Sequence, residues 1–179
     1  MMKPVLSIAC MALLALAGCA PSPAPAPPVK PAAQVPVPVV DAAAAVRAIR
    51  AASEGLDSAV QVQPLRDPAI DGFLKRAHDA EAAGDYAGAQ NAANGALKLA
   101  PDAPDILQYL AEISVERGDW RQAEQLAMNS YSLGPHVGGL CARNWQTAVE
   151  VRTVLHDTAQ VTVARQHLKE CRVPPRVRM

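Results

Sequence analysis

The chain has 179 residues, and its 17 basic residues balance 17 acidic ones, so the formal net charge is zero. This balance excludes the basic surface that is typical of nucleic-acid-binding proteins. Hydrophobic residues make up 50% of the chain, yet only 3% of the residues are aromatic. Alanine supplies much of the hydrophobic share, and small side chains let helices pack closely. The composition therefore predicts an all-α protein.

The first predicted element is a secretory signal over residues 1–18. Lys3 precedes an apolar run over residues 5–17, which is shorter than the roughly 20 residues that a membrane-spanning helix needs. The run ends in Leu16-Ala17-Gly18-Cys19, which resembles the lipobox of bacterial lipoproteins. The resemblance implies cleavage before Cys19 and diacylation of its sulfur, so that lipid anchors the mature chain. An ordinary signal peptide, in which Cys19 is incidental, is the alternative.

The residues after Cys19 predict an address and a tether. Ala20 and Pro21 stand where an aspartate commonly retains such lipoproteins in the inner membrane. The resemblance therefore implies a lipid anchor in the outer membrane, with the protein facing the periplasm. Residues 21–40 contain eight prolines, which predict a disordered, solvated polyproline-II tether over residues 19–40 with a reach of roughly 60 Å.

Residues 41–66 are predicted to be a weak helix followed by a linker. Asp41 can cap a helix over residues 42–53, with Val46 and Ile49 on one side and arginines on the other. The apolar stripe is thin, so we expect this helix to dock weakly or to fray.

The strongest internal signal is a repeat with a period of 34 residues. Gly84-Asp85-Tyr86 recurs as Gly118-Asp119-Trp120, and Asp67-Pro68 has the pattern of a helix start. Each glycine can end one helix in the left-handed conformation, and the aspartate after it can cap the next. Five further positions recur at the same offset, which are Ala77 as Ala111, Ala89 as Ala123, Ala93 as Ala127, Leu99 as Leu133 and Pro101 as Pro135.

This period and these residues resemble the tetratricopeptide repeat, a helix-turn-helix unit that stacks into a solenoid. The resemblance places two units at residues 70–103 and 104–137. A degenerate third unit covers residues 142–173, with Trp145 on the register of Phe73 and Leu107 and with His156-Asp157 in place of Gly-Asp. The predicted fold is thus an α-solenoid of about three hairpins over residues 67–173, followed by a basic tail over residues 174–179.

Two cysteines remain within the predicted domain, Cys141 and Cys171. They are equidistant from residue 156, the predicted turn of the last hairpin, so their sulfurs should meet at the open end of that hairpin. An oxidising periplasm would then join them in a disulfide. Two free buried thiols, or a redox pair without CxxC spacing, are the alternatives.

Catalytic and metal-binding patterns are missing from the sequence. The four histidines are scattered, and neither HExxH, GxSxG, a Walker A loop nor GxGxxG occurs. The sequence therefore predicts a protein that is not an enzyme and that needs no metal or other cofactor.

In tetratricopeptide-repeat proteins, ligands usually lie in a concave groove that is lined by the first helix of each hairpin. The groove positions implied here contain more carboxylates than cations, which predicts an acidic groove for a protein partner. The alternative is that these side chains are only the solvated faces of amphipathic helices. The groove residues are Asp71, Leu74, His78, Glu81, Asp105, Gln108, Glu112, Glu116, Arg143, Gln146 and Glu150.

The layout of lipid, Pro-rich tether and short cysteine-containing repeat domain is similar to that of Gram-negative lipoproteins that activate bifunctional peptidoglycan synthases, the class A penicillin-binding proteins. The resemblance implies a periplasmic scaffold that binds such an envelope protein. Two alternatives stay open, which are an assembly factor for a pilus or secretion pore and a protein that binds a small ligand or peptidoglycan.

Overall fold

The computed structural model describes residues 40–56 and 66–172. In these two ranges the chain forms seven α-helices, which are α1 Ala42–Ala51, α2 Pro68–Ala82, α3 Tyr86–Leu99, α4 Pro104–Glu116, α5 Trp120–Leu133, α6 Gly139–Val154 and α7 Thr158–Glu170. The predicted signal peptide, Cys19, nearly all of the tether and the basic tail lie outside the described residues. Among the helices described, none combines the length and the apolarity needed to cross a membrane.

Helices α2 to α7 form three hairpins that stack in chain order, α2 with α3, α4 with α5 and α6 with α7. Gly84 and Gly118 end the first helix of their hairpins with φ angles of 76°, in the left-handed region that favours glycine. The Asp85 carboxylate then accepts a hydrogen bond of 2.8 Å from the backbone N–H of Gly88. These features confirm the predicted all-α solenoid of three hairpins.

The turn of the third hairpin has the same backbone without glycine. His156 has a φ of 58°, and the N–H of Asp157 donates to the Arg152 carbonyl over 2.9 Å. The first turn contains the matching bond, from the N–H of Asp85 to the Ala80 carbonyl, also at 2.9 Å. Histidine enters the left-handed region at an energetic cost that glycine avoids. The degenerate repeat therefore keeps the turn at some expense of stability.

Small side chains line the places where helices cross. Ala77 of α2 and Ala89, Ala93 and Ala96 of α3 are fully buried, and they share a core with larger residues of α4. Close approach of α3 to α2 also needs Gly95, because a Cβ there would overlap the Phe73 ring. The alanine-rich composition thus serves the close packing of helices.

Cys141, near the start of α6, and Cys171, which ends α7, are joined in a disulfide with their Cα atoms 5.6 Å apart. Both cysteines are buried in a core with Trp145 and Ala164. The Cys171 carbonyl also accepts a hydrogen bond of 2.8 Å from the N–H of Gly138, in the joint between α5 and α6. The open end of the third hairpin is thus tied both to itself and to the preceding hairpin.

Helix α1 lies against α4 and α6, the first helices of the second and third hairpins. Val46 and Ile49 are buried there in a cluster with Val115 of α4 and Val151 of α6. Full burial of a side chain of this size contributes roughly 1.5–3 kcal/mol. The expectation that this helix would dock weakly or fray is wrong, because its thin apolar stripe is almost completely removed from water.

Candidate functional site

The predicted groove residues lie on the first helices of the three hairpins, on α2, α4 and α6. We call the face that these helices form the groove. Helix α1 occupies the groove over α4 and α6. Of the predicted groove residues, Asp71 and His78, both on α2, are exposed. The groove is therefore not an open channel along its length.

Glu112, at the centre of the groove, is fully buried. Its Oε1 accepts hydrogen bonds from Nε of Arg143 at 2.8 Å and from Nε2 of Gln108 at 2.9 Å. Its Oε2 accepts a bond of 2.9 Å from Nε of Arg50. The expectation that Glu112 is exposed is therefore wrong. A helix-surface pattern marks this position as polar, but only the docking of α1 decides that it is enclosed.

Arg50 connects α1 to two helices of the groove at once. Besides Glu112 on α4, it binds Glu81 on α2, whose Oε1 lies 2.6 Å from Nη2 of the arginine. Glu81 in turn accepts a bond of 3.0 Å from the Tyr109 hydroxyl. Partial burial lowers the pKa of Arg50, but its hydrogen bonds to Glu112 and Glu81 outweigh that effect and raise it. Burial, and then the bond to Glu81, raise the pKa of Tyr109.

The remaining polar residues of the groove are largely paired as well. Arg66 forms an ion pair with Asp105, and Nε2 of Gln146 donates to Glu150 over 2.6 Å. Arg50 and Arg66 are thus two cations that the prediction of an acidic groove did not include. They neutralise much of the charge on which that prediction depends.

Glu116, at the end of α4, keeps part of the predicted acidity. It is half-buried, and burial raises the pKa of its carboxyl, whereas a hydrogen bond from Tyr86 works in the opposite direction. The nearby Glu116 charge in turn raises the pKa of the Tyr86 hydroxyl. The expectation that Glu116 is fully exposed is therefore also wrong.

A cleft of about 280 Å³ remains open beside α1. The His78 ring packs against that of Tyr109, with 4.7 Å between the ring centroids, and its Nδ1 lies 2.8 Å from the Leu74 carbonyl oxygen. Arginine, hydroxyl and imidazole groups together can bind polar or anionic groups of a ligand. The cleft is lined by Arg50, Ser53, His78, Tyr109, Glu112 and Arg143.

Sequence reasoning missed Arg50, Ser53 and Tyr109 as residues of this site. Arg50 lies beside the stripe of Val46 and Ile49, and an arginine next to an apolar stripe is the one local sign that it reaches a buried partner. In the described ranges, the His, Cys, Asp and Glu side chains form no group of three or more that could hold a metal ion. The site is thus suited to binding through hydrogen bonds and charge.

Comparison with known proteins agrees with the repeat geometry. A family model described as tetratricopeptide repeat matches residues 80–128, which run from the end of α2 into α5. Among solved structures, the globular C-terminal domain of P. aeruginosa LpoP is 30% identical, with a TM-score of 0.54. The match covers 59% of this chain and 99% of that domain. The chain belongs to the tetratricopeptide-repeat family.

A comparison with curated proteins gave no match. The tetratricopeptide-repeat assignment explains why the three hairpins share glycine or histidine turns, aspartate caps and alanine crossings. It does not by itself account for α1, which lies outside the three hairpins and fills their groove.

Proposed function

We propose that this chain is a lipid-anchored periplasmic scaffold that binds and activates a class A penicillin-binding protein and catalyses no reaction itself. The observation that carries the proposal is the match to LpoP, because it covers nearly the whole of a globular C-terminal domain. Here too the repeat domain stands at the C-terminal end, after the lipobox and the Pro-rich tether. The layout is thus similar to that of the activating lipoproteins.

The groove supports this role in a narrower form than the sequence suggests. With α1 in place, the cleft of about 280 Å³ has room for one or two side chains of a partner and not for a long extended peptide. His78 is the exposed member of the cleft on α2. We place one contact of the partner in this cleft, with His78, Tyr109 and Arg143 as its binding residues.

The test is a reconstitution with purified components. The chain from Ala20 to Met179 is mixed with a purified class A penicillin-binding protein, and both binding and the rate of glycan polymerisation are measured. We expect saturable binding and a faster rate. A folded chain that neither binds nor accelerates the enzyme would contradict the proposal.

His78→Glu tests the cleft in the same assay. The added carboxylate would lie near the buried Glu112 and should weaken binding. Asp79→Lys, on the exposed face of the same helix, is the control, since Asp79 pairs only with Lys75 on the surface. Equal affinities for the two variants would remove the cleft from the proposed interface.

A further inference from the structure

The last helix, α7, repeats the position of α5 with an offset of 38 residues. Asp119 and Asp157 are the N-cap residues of the two helices, and Trp120 and Thr158 are their first residues. Helix α5 packs against the next hairpin along one side. Glu124 on that side binds Nε of Arg152 on α6 at 2.5 Å. Further along the same side, α5 contributes Met128 and Tyr131 to the core around Trp145.

The same side of α7 has a different chemistry. The residues at the equivalent positions are all exposed, and no helix of the described ranges packs on them. We call this side the α7 face. It consists of Thr158, Thr162, Arg165, Gln166, Lys169 and Arg172.

Three cations run along the α7 face. Arg165, Lys169 and Arg172 are spaced four and three residues apart, which places them in a row about 10 Å long. None of the three forms an ion pair within the described residues. Glu170, the nearest carboxylate in sequence, is bound instead to Gln166 and His167.

A terminal repeat needs a polar outer side to stay soluble, but it does not need charge of a single sign. The first two hairpins carry more carboxylates than cations, whereas the third carries more cations than carboxylates. The basic row is therefore a local feature of the helix that ends the stack. An excess of one charge on a helix-receiving side favours a partner of the opposite charge.

We propose that the α7 face docks an acidic helix of the protein partner. The position of the face, which on α5 receives α6, supplies the preference for a helix. Its three unpaired cations supply the preference for carboxylates. The inference rests on the proposed function, because the partner used to test it is the class A penicillin-binding protein.

The experiment compares two double charge reversals with the same change in net charge. Arg165→Glu with Lys169→Glu alters the α7 face. Lys98→Glu with Arg121→Glu is the control, since both residues are exposed cations on other helices and form no ion pair within the described part of the chain. Affinity for the purified penicillin-binding protein is measured from 50 to 300 mM salt, and circular dichroism checks that both variants are folded.

We expect the α7 variant to bind at least 10-fold more weakly at low salt and to lose part of its salt dependence, while the control stays within about 2-fold. Equal effects of the two variants, or none, would overturn the inference while the proposed function stands. A wild-type chain that does not bind would overturn both. Loss of binding to phosphatidylglycerol vesicles in the α7 variant, with unchanged affinity for the enzyme, would assign the face to a membrane surface and overturn the protein partner.

Discussion

Arg50 donates from Nε to Oε2 of Glu112 over 2.9 Å, although 62 residues separate the two in the sequence. The carboxylate is fully buried, and the arginine is the only contact described here that joins α1 to α2 and α4 through the same side chain. The pair therefore couples the position of α1 to the charge balance of the groove.

Replacing Arg50 by Met should lower the free energy of unfolding by about 1–3 kcal/mol, because two charge-assisted hydrogen bonds are lost. Glu112→Gln should cost more, about 3–5 kcal/mol, because Arg50 and Arg143 then lack their shared anion. Both values are measured by urea denaturation. Arg47→Met on the same helix is the control, since Arg47 and its partner Asp41 are largely exposed and the change should stay within about 0.5 kcal/mol.

A loss for Arg50→Met no larger than for Arg47→Met would show that the Arg50 pair does not hold α1. The same structure alters an experiment that the sequence suggests, in which charge reversal at Glu112 weakens partner binding without affecting the fold. With Glu112 buried between two arginines, we expect that reversal to unfold the domain.

His156→Gly should raise the free energy of unfolding by about 1 kcal/mol. The left-handed backbone costs a residue with a Cβ about 1–2 kcal/mol, and the greater freedom of glycine in the unfolded chain cancels part of the gain. Thermal melts of the two proteins measure the difference. Gly118→Ala, in the equivalent turn with a φ of 76°, should change stability in the opposite direction, and a destabilising His156→Gly would contradict this account.

Cys141→Ser with Cys171→Ser should lower the free energy of unfolding by about 3–4 kcal/mol, by the chain-entropy estimate for a closed loop of this size. The first two hairpins contain neither cysteine, so the helical signal in circular dichroism should largely persist below the melting point. Peptide mapping of periplasmic material without reductant checks the bond itself. Recovery of both residues as free thiols would contradict it.

Glu116→Gln should stabilise the domain at neutral pH and not at acid pH. Burial raises the pKa of Glu116 above its usual 4.5, so the folded state binds this proton more tightly than the unfolded state does. The ionised carboxyl therefore disfavours folding once the pH has risen above both values, and glutamine removes that effect. We expect a gain of up to about 0.5 kcal/mol at pH 7 and no gain near pH 3.5, both measured by urea denaturation. A gain of equal size at the two pH values would exclude titration as its cause.

Cys19→Ala tests the anchor, and removal of residues 21–39 tests the tether. If Cys19 is acylated, the substitution should release the protein from the membrane fraction and change its electrophoretic mobility. The tether deletion should abolish activity in cells and leave the reconstituted activity unchanged, because only the cell imposes a distance, of up to roughly 60 Å. A tether deletion without effect in cells would favour an assembly factor that acts close to its own membrane.

The sequence predicts the hairpins well because their signals are local. Gly84 with Asp85 and Gly118 with Asp119 end one helix and begin the next, and they lie within a few residues of the turns that they specify. The turn at His156 was predicted from its offset, although the residue type argues against it. Local chemistry repeated at a fixed period is therefore enough to place α2 to α7.

The groove could not be predicted to the same depth. Glu112 has the helical spacing of an exposed polar residue, and its burial depends on α1, which joins the domain through contacts distant in sequence. Val46 and Ile49 make a stripe too thin to indicate how completely α4 and α6 enclose it. Periodicity reports which side of a helix is apolar, but not which distant segment covers the other side.

The docking of α1 also sets an order of assembly. Of the helices described, α1 is the first to be synthesised, whereas the helices that receive it, α4 and α6, come later in the chain. Each hairpin closes through neighbouring residues, while α1 must close a much longer loop, so the hairpins should form first. Until they have formed, Val46 and Ile49 have nothing to pack against. The helix that is made first is thus the last to find its place.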